Sequence, residues 1–111
     1  MCGIAGYVGR VSPGLLARMM ASLKHRGPDD AGCWEEPGAG LGMTRLAIID
    51  LVTGRQPMRS EDGRYTLVFN GEIYNYRALR RDLESAGCRL QTRSDTEVLL
   101  LTLATRGLSG V

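Results

Sequence analysis

Residues 41–50 read Leu41-Gly42-Met43-Thr44-Arg45-Leu46-Ala47-Ile48-Ile49-Asp50, and the fold turns on how this stretch is taken. Residues 41–49 are apolar but for Thr44 and Arg45, and turn signals bound them, Pro37-Gly38 before and Thr53-Gly54 after. That pattern predicts a strand. It is also far shorter than the run of about 20 apolar residues that a membrane span requires.

Working toward the N-terminus, residues 32–35 predict another strand, preceded by a polar loop from His25 to Asp30. Leu15, Leu16, Met19, Met20 and Leu23 recur at helical spacing. Ser12-Pro13 would open that helix, with serine as N-cap and proline at the first helical position. The methionine pair reads as core rather than as a metal box. Residues 2–8 read as a buried strand rich in small residues.

Toward the C-terminus, Glu61-Asp62-Gly63 marks a turn, and residues 64–70 predict a strand. A helix follows from a capping Asn75 to a stop at Gly87, with Leu79, Leu83 and Ala86 facing inward. Residues 88–91 suggest a short strand. Ser94-Asp95-Thr96-Glu97 has the form of a capping box and opens an apolar helix to about residue 106. Strands interspersed with helices over 111 residues predict one layered α+β domain.

Composition bounds the function. The chain is 43% hydrophobic and 23% charged, which fits a globular protein rather than a disordered one. A net charge of +2 offers no field for nucleic acid or an acidic membrane. The N-terminus lacks the basic start and apolar stretch of a secretory signal, so a cytoplasmic location is expected. Three cysteines, Cys2, Cys33 and Cys88, form no CxxC or Cys/His cluster, so no metal site is expected. Cys33 and Cys88 read as small, buried, reduced residues. His25 is the single histidine, and a Cys–His dyad would have to use it.

Four features carry chemistry, each beside a structural alternative. Cys2 directly follows the initiator, and a small second residue permits methionine removal. A free N-terminal cysteine then has a thiol of reference pKa ~8.5 beside an amine of ~7.7–8.0 that can take its proton. Cys2 alone could equally be incidental. Asn70-Gly71, within Phe69-Asn70-Gly71-Glu72-Ile73-Tyr74-Asn75, has the local form of a hairpin turn. An asparagine amide and a glycine N–H can also hold an oxyanion together. Arg45 needs a partner wherever it is buried. That partner would be an internal acid or, by a bidentate grip, a ligand carboxylate. Asp95 suits a helix N-terminus and could also bind an amine.

These features stand in order with His25-Arg26-Gly27-Pro28-Asp29-Asp30 and Gln56-Pro57-Met58. Six motifs in that order resemble the N-terminal glutaminase domain of asparagine synthetases, a class II glutamine amidotransferase, from Met1 to about Gly110. The resemblance implies an Ntn-hydrolase-like four-layer α-β-β-α sandwich, with two antiparallel sheets between helix layers. It implies Cys2 as nucleophile on the glutamine side-chain amide, and Asn70 with the Gly71 N–H as the oxyanion hole. Arg45 would grip the substrate α-carboxylate, and Glu72 and Asp95 would pair with its α-ammonium. Ammonia would pass to a synthetase domain, where ATP and Mg2+ would activate aspartate for asparagine formation. Met43 stands where many relatives have histidine, outside the nucleophilic chemistry.

Val111 falls where the family continues with further core strands, so the domain is expected to be incomplete at its C-terminus. The Ser-Gly-Gly-x-Asp-Ser loop is absent, and no GxxxxGK[ST] replaces it. Residues 1–111 alone are expected to make no asparagine and to release little glutamate. A related synthetase with another acceptor, or a non-catalytic glutamine-binding remnant, would share these motifs.

Overall fold

The computed structural model describes residues 2–26, 30–45 and 55–110. The expected strand over residues 46–49, the Thr53-Gly54 turn and the Gly27-Pro28-Asp29 part of the polar loop lie outside them. The protein is a small α+β domain with sheets and three helices. It divides into two compact units, Met1–Pro57 with Leu67–Asn70, and Met58–Thr66 with Gly71–Val111.

The first unit is built on a three-stranded antiparallel sheet. β1 (Gly3–Val8), β2 (Asp30–Glu36) and β3 (Ala39–Arg45) lie in the order β1-β3-β2. Residues 41–45 therefore lie in the central strand. Gly3 faces Thr44 on one side and Asp30 faces Arg45 on the other. Pro37-Gly38 closes the β2–β3 hairpin, and Gly38 takes a φ of 93° that a side chain would resist. Flanked on both edges, β3 buries Gly40, Gly42, Met43 and Thr44.

β1 corrects an expectation. It is a strand, but not a buried one: Ile4 is 48% exposed and Val8 92%. An edge strand has one neighbour, and its alternate residues leave the covered face. Cys33 is likewise exposed and Cys88 half-buried, against the expectation of burial. Cys33 alternates with Gly32 and Trp34 on β2, which places it on the open face.

α1 (Leu15–Ser22) lies against β1 and β3. Leu16 is 1% exposed, and burying such a side chain is worth roughly 1.5–3 kcal/mol. Met20 occupies the space over Gly42, where an added Cβ would collide with its sulfur. The apolar face is as expected, but the helix starts later than Pro13. Gly14 is left-handed, with φ 80°, so it cannot sit inside a helix. Ser12 instead accepts the Leu15 N–H through its carbonyl at 3.2 Å, in a turn.

A short ribbon pairs β4 (Met58–Arg59) with β5 (Thr66–Leu67) around Glu61-Asp62-Gly63. The expected strand over residues 64–70 shrinks to these two residues. Phe69 has no ladder partner among the described residues, and its backbone bonds to the Gln56 side chain.

In the second unit α2 (Tyr76–Ser85) packs on α3 (Asp95–Arg106). Leu83 is 2% exposed and Val98 fully buried. Asn75 holds the N-cap position without a side-chain bond. Ala86 is exposed rather than inward, because the helix has already ended. Gly87, at φ 89°, donates to Glu84 O, and Cys88 N–H reaches back to Leu83 O at 2.9 Å. These two bonds form the reversed-turn stop expected of a glycine past a helix end. Residues 88–91 form no strand. The N–H groups of Gln91 and Thr92 go to the Glu97 carboxylate, at 2.8 and 2.7 Å, and Thr92 Oγ1 donates to it at 2.7 Å. Ser94 caps α3 by accepting the Thr96 N–H at 3.0 Å. The capping-box glutamate is thus turned from the Ser94 N–H to the loop before it. No helix among the described residues is long and apolar enough to cross a membrane.

Candidate active site

In the first unit the chemistry gathers where β1 begins. Cys2 is half-buried, and its carbonyl oxygen accepts two hydrogen bonds. One comes from Arg26 Nε at 3.1 Å and the other from Asn70 Nδ2 at 3.1 Å. Arg26 closes a single 3-10 turn, Lys24–Arg26, at the foot of α1. Asn70 lies 68 residues along the chain from Cys2. An amide nitrogen carries two N–H groups, so this bond leaves Asn70 a second donor.

Arg45 ends β3. In the β1–β3 register Thr44, next to Arg45, faces Gly3, the residue after Cys2. Nη1 of Arg45 is buried and has no hydrogen-bond partner among the described residues. Nor does Arg45 form an ion pair among them. The internal salt bridge that the sequence left open is therefore not found among these residues. A buried unpaired donor costs roughly 1–3 kcal/mol, and more when charged. Such a donor suits an incoming anion.

Asn70-Gly71 is not a hairpin turn. No strand follows it, and Gly71 does not have the positive φ of the tight hairpin type. The Gly71 N–H makes no hydrogen bond among the described residues. Immediately before Asn70, the Phe69 backbone is held on both sides by one side chain. Phe69 N–H donates to Gln56 Oε1 at 2.6 Å, and Gln56 Nε2 donates to Phe69 O at 3.1 Å.

In the second unit, Asp95 opens α3, where the macrodipole favours a carboxylate. Its Oδ2 accepts the Ile73 N–H at 3.1 Å. The backbone after Glu72 is thereby tied to the start of α3. Glu72 itself is exposed. The loop leading into Asp95 is shaped by Glu97 and by Arg80, whose Nη1 donates to Thr92 O at 2.7 Å.

The structure thus joins Cys2 to Asn70, with Arg45 at the end of β3 in the same unit. It joins Asp95 to the Glu72-Ile73 segment within the other. Sequence reasoning assigned no role to Arg26 or Gln56, although both lie in quoted motifs. Their signals are bonds to backbone groups 24 and 13 residues away, which no spacing rule reveals. His25 is exposed, with no hydrogen bond from its side chain among the described residues. Among those residues no three His, Cys, Asp or Glu side chains gather as metal ligands would.

The chain resembles known proteins over nearly all its length. Asparagine synthetase (glutamine-hydrolyzing) 1 of Bacillus subtilis is 43% identical over 109 residues, covering 92% of this chain and 17% of that protein. Asparagine synthetase (glutamine-hydrolyzing) 3 of Arabidopsis thaliana is 41% identical over 106 residues, covering 89% and 18%. A probable asparagine synthetase (glutamine-hydrolyzing) of Dictyostelium discoideum is 39% identical over 106 residues, covering 90% and 19%. The chain spans less than a fifth of the length of these curated relatives. A family model described as a glutamine amidotransferase domain matches residues 1–111, and the chain belongs to that family.

Proposed function

We propose that this chain is the glutaminase part of an asparagine synthase that hydrolyses glutamine, with Cys2 as the nucleophile. The observation that carries the reading is the double hold on the Cys2 carbonyl by Arg26 and Asn70, together with a buried Arg45 Nη1 that has no hydrogen-bond partner among the described residues. After Met1 is removed, the Cys2 amine takes the thiol proton, and sulfur adds to the side-chain amide carbon of glutamine. The second N–H of the Asn70 amide and the Gly71 N–H receive the developing oxyanion. Collapse breaks the carbon–nitrogen bond. The nitrogen leaves as ammonia with the proton held by the amine. Water then adds to the thioester, expels the Cys2 thiolate and yields glutamate.

Arg45 holds the substrate α-carboxylate, a role supported by its orphaned buried donor. Glu72 and Asp95 pair with the α-ammonium, supported by the tether between Asp95 and the Ile73 N–H. The finer fold is an Ntn-type four-layer sandwich, and its location is cytoplasmic. Ammonia passes to a synthetase part, in keeping with the relatives' name of glutamine-hydrolyzing asparagine synthetase, and the motif resemblance implies ATP, Mg2+ and aspartate there. The residues here do not fit ATP or Mg2+: no phosphate-binding glycine loop is present. No step in this domain runs through either group.

The free amine of Cys2 provides the test. In the complete natural chain, intact mass spectrometry should show loss of one methionine. A permanent N-terminal extension should abolish glutamate release from glutamine. Full release with the extension in place would overturn the amine as base.

A further inference from the structure

Resting on that reading, we infer that Gln56 is a positioning residue for the oxyanion donor Asn70, acting through its two-sided hold on the Phe69 backbone. β5 ends at Leu67, and residues 68–70 pair with no strand among the described residues. A primary amide carries one acceptor and a donor pair, the same chemistry a neighbouring strand would present. Gln56 uses both, taking the Phe69 N–H at 2.6 Å and donating to the Phe69 carbonyl at 3.1 Å. That carbonyl belongs to the same planar peptide as the Asn70 N–H. Fixing it fixes the direction in which the Asn70 side chain leaves the backbone.

Gln56 is itself anchored. A Cβ added to Gly32 on β2 would collide with the Gln56 carbonyl oxygen. The chain of support therefore closes within one unit. β1, which follows Cys2, pairs with β3, and β3 pairs with β2. Gly32 of β2 seats the Gln56 backbone, the Gln56 side chain holds Phe69, and Asn70 returns to the Cys2 carbonyl. Donors must be held to within about 0.5 Å of their working positions. A displacement of about 1 Å can cost on the order of 10²-fold in rate. Three bonds and one close contact thus connect the sheet to the place where charge develops.

The inference separates from a merely structural role by where the loss falls. Gln56→Met keeps the length of the side chain and removes both bonds. In the complete natural chain it should lower kcat for glutamate release by roughly 10–10²-fold, with KM for glutamine within about threefold. In an Asn70→Ala background the same change should cost less than about twofold, because the donor it positions is gone. Gln56→Glu gives a second readout. Its ionised form can only accept, whereas its protonated form has the donor and acceptor of the amide. Its kcat relative to wild type should therefore rise as pH falls.

Additive losses in the double variant, or an unchanged kcat in Gln56→Met, would overturn the inference. So would loss of cooperative unfolding in both Gln56 variants, which would make Gln56 a residue of the fold alone. If Asn70→Ala by itself left kcat unchanged, the oxyanion role under the proposed function would fail instead.

Discussion

Two loops that pair with no strand among the described residues are held by side chains. In the first unit the Gln56 amide takes both backbone groups of Phe69. In the second the Glu97 carboxylate takes the N–H groups of Gln91 and Thr92 and the Thr92 hydroxyl, while Arg80 takes the Thr92 carbonyl. The neutral amide answers a donor and an acceptor at once. The carboxylate answers donors only, and its charge strengthens each bond. Their reach also differs. Gln56 spans 13 residues, whereas Glu97 spans only five or six. The local clamp stabilises a helix start that the sequence already favours. The distant clamp orients a residue that meets another part of the chain.

That contrast predicts a division between chemistry and stability. The largest effect is expected at the end of the distant clamp. Asn70→Ala should lower kcat by roughly 10²–10³-fold, since it would lose a donor to charge that appears in the transition state. Arg45→Ala should mainly raise KM, because the α-carboxylate does not change during the reaction. Glutamate release measured against glutamine concentration, with circular dichroism as a check on folding, decides both. An unchanged kcat in Asn70→Ala would remove the chemical half of the contrast.

The next effect belongs to the local clamp. Glu97 is 8% exposed, and Glu97→Ala would strand two backbone N–H groups. A loss of about 2–4 kcal/mol is expected in denaturant unfolding. Glu97→Gln keeps one acceptor and should lose less. A Glu97→Ala variant as stable as wild type would show that the loop finds other partners, and the comparison with Gln56 would lapse.

The smallest effect is at the β4–β5 turn, whose acid is exposed. The Ser60 hydroxyl donates to Asp62 Oδ1 at 2.7 Å, and the Arg64 N–H donates at 3.0 Å. These bonds hold the Asp62 carboxyl below its ordinary value of 3.8, with the hydroxyl the larger cause. A lowered native value means that the charged form is the stabilised one. The contribution is present above the ordinary value and fades as pH falls through the native one. Ser60→Ala should move the Asp62 titration, followed by NMR, back toward 3.8. No movement would assign the shift to the backbone N–H alone.

The elements most legible in the sequence were those whose cause is local. The end of α2 at Gly87 and the start of α3 at Ser94 follow from glycine past a helix and serine before one. The Pro37-Gly38 and Glu61-Asp62-Gly63 turns follow from proline and glycine. The misreadings share a different cause. β1 looked buried because its residues are small and apolar, but exposure there depends on its place at the sheet edge. Residues 88–91 looked like a strand because no spacing rule shows a carboxylate taking their donors. Pro13 looked like a helix start, but the left-handed Gly14 after it delays the helix.

The order of six motifs by itself determined the family and the candidate residues Cys2, Arg45, Asn70, Gly71, Glu72 and Asp95, because residue type and spacing are properties of the chain. Only the tertiary structure decided which of them meet. The Asn70 amide on the Cys2 carbonyl joins residues 68 positions apart, and the Gln56 side chain on the Phe69 backbone joins residues 13 apart. The buried Arg45 Nη1, without a hydrogen-bond partner among the described residues, is likewise visible only once β3 lies between β1 and β2. Hydrogen bonds depend on distance and angle in space, and neither is written in the order of residues along the chain.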